Sequence, residues 1–214
     1  NNIQECITQG YDAIIIEVLD TEASNSAISD AESAGIPVVT LNCGASAVHT
    51  MHIQGADYEM GVQGATYLTE ACGNEGNIII LDCPAASVAS SRMGTGAKEY
   101  IENNTGMTLI DHQFIDNWSI DNAMTTMSDL LTKYPDIDAV YCSSDDIALG
   151  AVQAIEAAGR DGDGILVWGG SGYPSAFEAI KAGRMYGTSW CDTYSEMSTA
   201  VYSALYFISA GINS

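Results

Sequence analysis

The chain has 214 residues and is 47% hydrophobic, so it can bury one large core or the cores of two smaller lobes. Its 6 Lys and Arg residues against 28 Asp and Glu residues give a formal net charge of −22 at pH 7. A surface this acidic repels phosphate backbones and anionic lipid headgroups, so nucleic acid is a poor candidate partner for this chain. No run of about 18 apolar residues is present to span a bilayer, and no signal peptide opens the chain.

The first ten residues, NNIQECITQG, predict the last turns of a helix. Ile3, Cys6 and Ile7 share one helical face, and Gly10 supplies the helix stop. Because a domain rarely begins in the final turns of a helix, we expect an N-terminal piece to be missing.

Short runs rich in Ile and Val alternate with helical patterns along the rest of the chain. The runs rarely alternate with polar residues, which is typical of strands in a parallel sheet covered by helices on both faces. The predicted strands are 13–18, 37–41, 77–81, 108–115, 139–142, 165–168 and 185–190. The predicted helices between and after them include 59–72, 123–131, 147–158 and 193–210. This βα alternation predicts an open, doubly wound α/β architecture.

Helical periodicity also predicts buried faces and helix starts. Ser119 or Asp121 is the predicted cap of the helix at 123–131. The helix at 193–210 places five apolar residues on one stripe, namely Met197, Val201, Ala204, Leu205 and Ile208.

One segment, VHTMHIQ at 48–54, departs from this rhythm because apolar and polar residues alternate along it. It reads as a connection running from one sheet toward another, with the chain changing lobes near Ala56 and Asp57. We therefore expect residues 1–56 and 192–214 in a first lobe and residues 57–191 in a second.

Polar or small residues follow nearly every predicted strand. Ligands of open α/β sheets lie at the carboxyl ends of the strands, beside helix N-termini, so these positions are candidate binding residues. They include Glu17, Asp20, Asn42, Cys43, Asp82, Cys83, Trp118, Ser143, Ser144, Asp145, Ser171, Cys191 and Asp192. Asp145 is also a predicted N-cap of the helix that follows it, and the cap is the simpler role.

Catalytic, metal and cofactor functions find little support. The six cysteines form no CxxC pair and read as buried thiols, so no metal site and no cofactor is predicted. The three histidines lie near no catalytic motif, and we expect His49 and His52 to face opposite sides of an alternating strand. No catalytic residue is therefore predicted, and the chain is expected not to be an enzyme.

Three segments together carry a resemblance to a known family. They are YDAIIIEVLDTEASNSAISDAESAGIPVVTLN at 11–42, SSDDIALGAVQAIEAAG at 143–159 and ILVWGGSGYPSAFEAIKAGRMYGTSW at 165–190. The first looks like the first-lobe segment of type I periplasmic solute-binding proteins of the ribose- and galactose-binding group. The second is similar to that family's ND-x-x-A-L-G-A segment, and the third resembles its V-G-F-D-G-x-P stretch. The match runs in order along essentially the whole chain, and the effector domains of LacI-type repressors share the fold and motifs.

The resemblance implies two Rossmann-like lobes with parallel sheets, joined by three crossover strands and closing on a ligand in the cleft. It also implies that the chain is incomplete at both ends. The first strand, first helix and second strand, about 50 residues, and the family's final strands would be absent.

Residues carried over from the family by position would line that cleft. They are Glu17, Asn42, Cys43, Ser91 or Arg92, Trp118, Ser144, Ser171 and Cys191. The family's sugar-binding Asp-Arg pair is replaced here by Asn42 and Cys43, and its Phe-Asp pair by Gly170 and Ser171.

Sugar chemistry suggests further contacts. Planar polar side chains bind vicinal hydroxyls and aromatic faces cover C–H patches, which adds Asp192 and Trp190 to the candidate set. Because carboxylates follow several strands, a neutral polyol or a cationic amine is a better ligand than an anion.

The predicted function is the solute-binding component of an ABC-type importer, with a small polar ligand, a sugar or polyol, and a membrane permease as partners. A monomer in the periplasm or at the cell surface, held by a lipid anchor, is expected. The alternative is the effector-binding domain of a LacI-type repressor, which an upstream helix-turn-helix would distinguish from a lipid-modified leader.

Overall fold

The computed structural model describes residues 2–18, 21–85 and 88–211. These fall into two compact units. Unit 1 comprises the described residues of Asn1–Gly55, Ser87–Ala89 and Asp192–Ser214, and unit 2 comprises those of Ala56–Ala86 and Ser90–Cys191. The predicted strand-end residue Asp20 lies outside the described residues.

Unit 1 is built on a parallel three-stranded sheet. Its elements are α1 (Asn2–Gln9), β1 (Ile14–Val18), α2 (Asn25–Ser33), β2 (Val38–Asn42), β3 (Met51–Ile53) and α8 (Thr193–Ala210), with sheet order β1-β2-β3. One core cluster joins α1 and α2 to β1, and another joins α8 to β2. Helices thus cover both faces, as the apolar runs predicted.

Unit 2 is built on a parallel five-stranded sheet of order β5-β4-β6-β7-β8. Its elements are α3 (Asp57–Ala71), β4 (Glu75–Asp82), α4 (Val88–Asn104), β5 (Gly106–Phe114), α5 (Ile120–Lys133), β6 (Ala139–Cys142), α6 (Asp145–Ala157), β7 (Leu166–Ser171), α7 (Pro174–Lys181) and β8 (Gly187–Trp190). α3 and α4 pack on one face, and α5, α6 and α7 pack on the other. The predicted α/β class with parallel sheets is confirmed.

Two glycines in α4 allow close packing in unit 2. A Cβ at Gly96 would lie 2.2 Å from the Tyr58 carbonyl oxygen, so α4 and α3 touch through their backbones there. A Cβ at Gly94 would collide with the Asp82 carboxylate, so this position leaves room for a buried polar group of β4.

The segment at 48–54 is more than a connection. Residues Met51–Ile53 form β3, which pairs with β2 in parallel from Val39 to Leu41. The alternation that marked the segment is that of an edge strand with half-buried residues.

Only one of the five residues of the predicted apolar stripe of α8, Ala204, is buried. Met197, Val201, Leu205 and Ile208 are exposed, and Ala204 faces β2 together with Ala200, which the stripe did not include. Close approach of the helix to the sheet requires small side chains, so the alanines occupy the interface. None of the described helices is long and apolar enough to cross a membrane.

Candidate functional site

Polar residues connect the carboxyl end of β6 to the start of α6 in unit 2. Ser144 is the N-cap of α6, and its hydroxyl accepts a hydrogen bond from the Ile147 amide at 3.3 Å. The prediction of Asp145 as the cap is therefore wrong. Asp145 is the first helical residue, and its side chain turns into the protein instead of back to the helix amides.

Asp145 is fully buried and hydrogen-bonded to two neighbouring elements. Its Oδ2 accepts the Tyr173 amide at 2.7 Å, and its Oδ1 accepts the Thr188 hydroxyl at 2.6 Å. Burial raises the pKa of Asp145, and the bonds from Thr188, Tyr173 and Gly172 oppose that rise.

Ser171 and Trp190 end the adjacent strands β7 and β8 at paired positions. Ser171 is half-buried, and its hydroxyl bonds to the Gly170 carbonyl. Trp190 is 64% exposed and stacks on Phe177 with ring centroids 6.4 Å apart. An exposed aromatic face beside polar strand ends is the arrangement that sugar C–H patches require.

Asp82, at the end of β4, anchors a second polar cluster. Its buried carboxylate accepts the Cys83 amide at 2.9 Å and the Ser143 hydroxyl, and it lies 3.3 Å from His112 Nε2. A serine hydrolase needs the histidine to take the serine proton, but here both groups contact the aspartate. The cluster therefore does not form a nucleophilic triad.

Arg92 and Trp118 are less exposed to solvent than Trp190. Arg92 Nη1 lies 3.9 Å from Asp57 Oδ2, and 30% of the arginine side chain is exposed. Trp118 follows β5 in a single 3-10 turn with φ of 51°, is half-buried, and packs against the core beneath α5. Ser119, not Asp121, caps α5 by accepting the Asn122 amide.

In unit 1 the strand ends bring Glu17 and Asn42 together. Asn42 Nδ2 donates to Glu17 Oε1 at 2.6 Å, and Asn42 has a left-handed φ of 58°. Cys43, the next residue, is buried. The side chains that meet at this edge are therefore the Asn42 amide and the Glu17 carboxylate, whereas Cys43, which follows Asn42 in the expected pair, is buried.

Asp192 is exposed and caps α8. Its carboxylate accepts the Ser195 amide at 3.1 Å and the Ser195 hydroxyl at 2.7 Å, which lowers the pKa of Asp192. Burial, with Asp192 and Glu17 nearby, raises the pKa of Glu196 on the same helix. Unit 1 therefore gathers Glu17, Asp192 and Glu196 into an acidic region.

The prediction that His49 and His52 face opposite sides is wrong. His49 Nε2 lies 2.8 Å and His52 Nδ1 lies 2.9 Å from the same Thr40 hydroxyl oxygen. Only His52 belongs to β3, so strand alternation does not apply to His49 in the preceding loop.

Sequence reasoning missed Thr40 and Thr188, because both lie inside apolar strands and nothing local distinguishes them from ordinary strand threonines. All six cysteines are thiols outside any disulfide, with Cys43, Cys83 and Cys142 buried and Cys191 half-buried. Within the described ranges, no three His, Cys, Asp or Glu side chains are grouped closely enough to hold a metal ion.

A profile described as the periplasmic binding protein domain matches residues 1–211. The chain belongs to the periplasmic binding protein domain family, and the resemblance inferred from its three segments is confirmed.

Two curated relatives are similar over most of the chain. A xylitol-binding protein of Mycolicibacterium smegmatis is 28% identical over 88% of the chain and 54% of its own length. The ribose import binding protein of Bacillus subtilis is 28% identical over 88% of the chain and 60% of its own length. The chain thus spans somewhat more than half of these relatives.

Solved structures share the fold closely. An ABC transporter periplasmic solute-binding protein of Actinobacillus succinogenes with bound D-allose has a TM-score of 0.91 and 28% identity, covering 98% of this chain and 75% of that one. A solute-binding protein of Bacillus halodurans with bound myo-inositol has a TM-score of 0.89 and 28% identity, covering 99% and 74%. The type I periplasmic-binding fold is thereby confirmed.

Proposed function

We propose that the chain is the ligand-binding part of an ABC-importer solute-binding protein, and that its ligand is a small neutral sugar or polyol. The observation that carries this proposal is the family match over residues 1–211. The names of the relatives point to xylitol and ribose, and the similar structures hold D-allose and myo-inositol. All four compounds are neutral and rich in hydroxyl groups. No chemical step on the ligand is required, so the proposed protein is not an enzyme.

The strand ends of each unit offer the chemistry for such a ligand. Glu17 and Asn42 together present carboxylate and amide groups, which bind vicinal hydroxyls in pairs. On unit 2, the half-buried Ser171 supplies a hydroxyl and the exposed Trp190 an aromatic face. Ser144 is buried and its hydroxyl caps α6, so it is proposed to shape this edge from beneath. The acidic region of Glu17, Asp192 and Glu196 disfavours an anionic ligand.

The remaining expected site residues have more limited proposed roles. Arg92 and Trp118 are proposed to contact ligand with the part of each side chain that remains exposed. Cys43 is proposed to shape the site from beneath, because its thiol is buried.

We further propose that a membrane permease is the protein partner, and that the protein acts as a monomer in the periplasm or at the cell surface on a lipid anchor. The names of the similar proteins describe import and solute binding, which favours a receptor over a repressor effector domain. The charge of −22 also disfavours action on DNA.

Isothermal titration of the full-length protein with xylitol, ribose, D-allose and myo-inositol tests the ligand class. We expect at least one of the four to bind, and D-gluconate, an anionic control, to bind at least about tenfold more weakly because carboxylates gather at the strand ends. Trp190→Ala should weaken binding about tenfold, whereas Trp190→Phe keeps an aromatic face and should retain most of the affinity. Failure of all four compounds to bind would contradict the proposal.

A further inference from the structure

The buried carboxylate of Asp145 joins three parts of unit 2. Its oxygens accept hydrogen bonds from the Tyr173 amide in the turn after β7 and from the Thr188 hydroxyl on β8, at 2.7 and 2.6 Å. The Gly172 amide donates to the Thr188 hydroxyl at 3.4 Å, which connects it to Asp145 through Thr188. A Cβ at Gly169 would lie 2.3 Å from Asp145 Oδ1, so the glycine in β7 leaves room for this carboxylate.

The turn held by Asp145 carries the proposed ligand contacts of β7 and β8. Gly172 follows Ser171 directly, has a left-handed φ of 77°, and lies against the Trp190 ring. A Cβ at Gly172 would lie 2.8 Å from Trp190 Cε3. The position of this turn therefore sets the spacing between the Ser171 hydroxyl and the Trp190 face.

We propose that Asp145 is a positioning residue of the binding edge, which fixes Ser171 and Trp190 relative to Ser144 and does not itself contact the ligand. The inference rests on the proposed function and revises the expectation that Asp145 binds ligand directly. Two observations support it: the residue is fully buried, and both carboxylate oxygens already accept hydrogen bonds from protein donors.

A positioning role has a consequence that simple stabilisation lacks. A variant that only lowers the folded fraction weakens binding of every ligand by one common factor. A variant that moves Ser171 and Trp190 changes the ratios of affinity among ligands whose hydroxyls are arranged differently. The ratios for D-allose, ribose, xylitol and myo-inositol therefore distinguish the two roles.

The test uses Asp145→Asn in the full-length protein, with Asp146→Asn as the matched control. The Asp146→Asn substitution removes the same charge from the same first turn of α6. The Asp146 side chain makes none of the contacts described above for Asp145. We expect amide hydrogen exchange of Gly172 and Tyr173, followed by NMR, to accelerate at least about tenfold in Asp145→Asn and to stay at the wild-type rate in Asp146→Asn. Affinities among the four compounds should change by unequal factors in Asp145→Asn alone.

A second pair keeps the test decisive if Asp145→Asn does not fold. Thr188→Val removes the hydroxyl that donates to Asp145 and accepts the Gly172 amide, and Thr188→Ser keeps it. The Tyr173 amide is bonded to Asp145 and not to Thr188, so it reports on Asp145 in this pair. We expect Thr188→Val to speed exchange of the Tyr173 amide and to shift the affinity ratios, and Thr188→Ser to restore both.

Unchanged exchange in Asp145→Asn and Thr188→Val would overturn the proposal, and so would a uniform loss of affinity for every ligand. A wild-type protein that binds none of the four compounds counts against the proposed function instead. The exchange measurement then still decides whether Asp145 holds the turn.

Discussion

In unit 2 helices lie against both faces of a five-stranded sheet, whereas unit 1 has three strands and a last helix with exposed apolar side chains. The core beneath α3 and α4 is tight enough that a Cβ at Gly61 would lie 2.0 Å from the Met93 carbonyl oxygen. In α8 of unit 1, by contrast, Tyr194 is 82% exposed and Tyr202 is 73% exposed.

The two units therefore differ in how tightly they pack. Unit 2 combines interdigitated packing around its wide sheet with the buried polar contacts of Asp82 and Asp145. Unit 1 has partly buried polar contacts: Glu32 on α2 accepts the amides of Val38 and Thr50, and the Thr40 hydroxyl joins His49 to His52. If this comparison is right, packing changes should damage unit 2 most, and loss of a single hydroxyl should be felt in unit 1.

The largest expected effect comes from Gly61→Ala in unit 2. The added methyl group would force α3 and α4 apart, and overpacking of this kind outweighs the gain in helix propensity. We expect the free energy of unfolding to fall by about 2 kcal/mol. All three tryptophans lie in unit 2, so urea unfolding followed by tryptophan fluorescence measures the change there.

Gly162→Ala is the control for this change, because a Cβ at Gly162 meets nothing within 4 Å and its φ is not left-handed. It should leave the transition where it is. Equal stability of the two variants would show that the helix contact at Gly61 relaxes freely and would weaken the comparison.

A smaller effect is expected from Thr40→Val in unit 1. The substitution keeps the shape of a fully buried residue but removes the hydroxyl that both imidazoles contact. We expect a loss of about 1–2 kcal/mol, because the ring nitrogens of half-buried His49 and exposed His52 both lose their bond to a buried hydroxyl. Thr40→Ser keeps the hydroxyl and should lose less.

Hydrogen exchange measured by mass spectrometry can place this loss. Peptides that cover β2 and residues 48–54 should exchange faster in Thr40→Val, and peptides of the unit 2 sheet should not. A loss of protection equal in both units would mean that they unfold as one, and the comparison between them would then describe structure but not stability.

The sequence predicted the sheets well because buried parallel strands are runs of Ile and Val, a local signal. All seven predicted strands were found, and only β3 was misread. Four of the five stripe residues of α8 are exposed, because periodicity finds apolar faces but cannot tell which residues of a helix meet a sheet. The burial of Ala200 and Ala204 depends on how closely the helix approaches β2, which the local sequence does not record.

The candidate site could be located by position but not resolved into contacts. Strand ends are predictable, so Glu17, Asn42, Ser144 and Ser171 could be named in advance. The bonds of Asp145 could not, since its partners lie 28 and 43 residues away in sequence. The same distant donors bind the Asp145 carboxylate, so Ser144 and not Asp145 caps α6.

The smallest expected effect concerns the stability that unit 2 gains from polar contacts at its edge strand β5. Burial raises the pKa of Asp111 on β5, but hydrogen bonds from Lys133, Gln113 and Tyr134 outweigh it and hold the pKa at about 2, below the ordinary 3.8. A lowered folded-state pKa adds stability above pH 3.8 that is lost as the pH falls toward about 2. Asp111→Asn should therefore cost about 1 kcal/mol at pH 7, and the difference from wild type should shrink between pH 4 and pH 2. The control is Asp129→Asn, at an exposed residue of α5, measured by urea unfolding across the same pH range. If the stability lost in Asp111→Asn did not change with pH, Asp111 would contribute through packing alone.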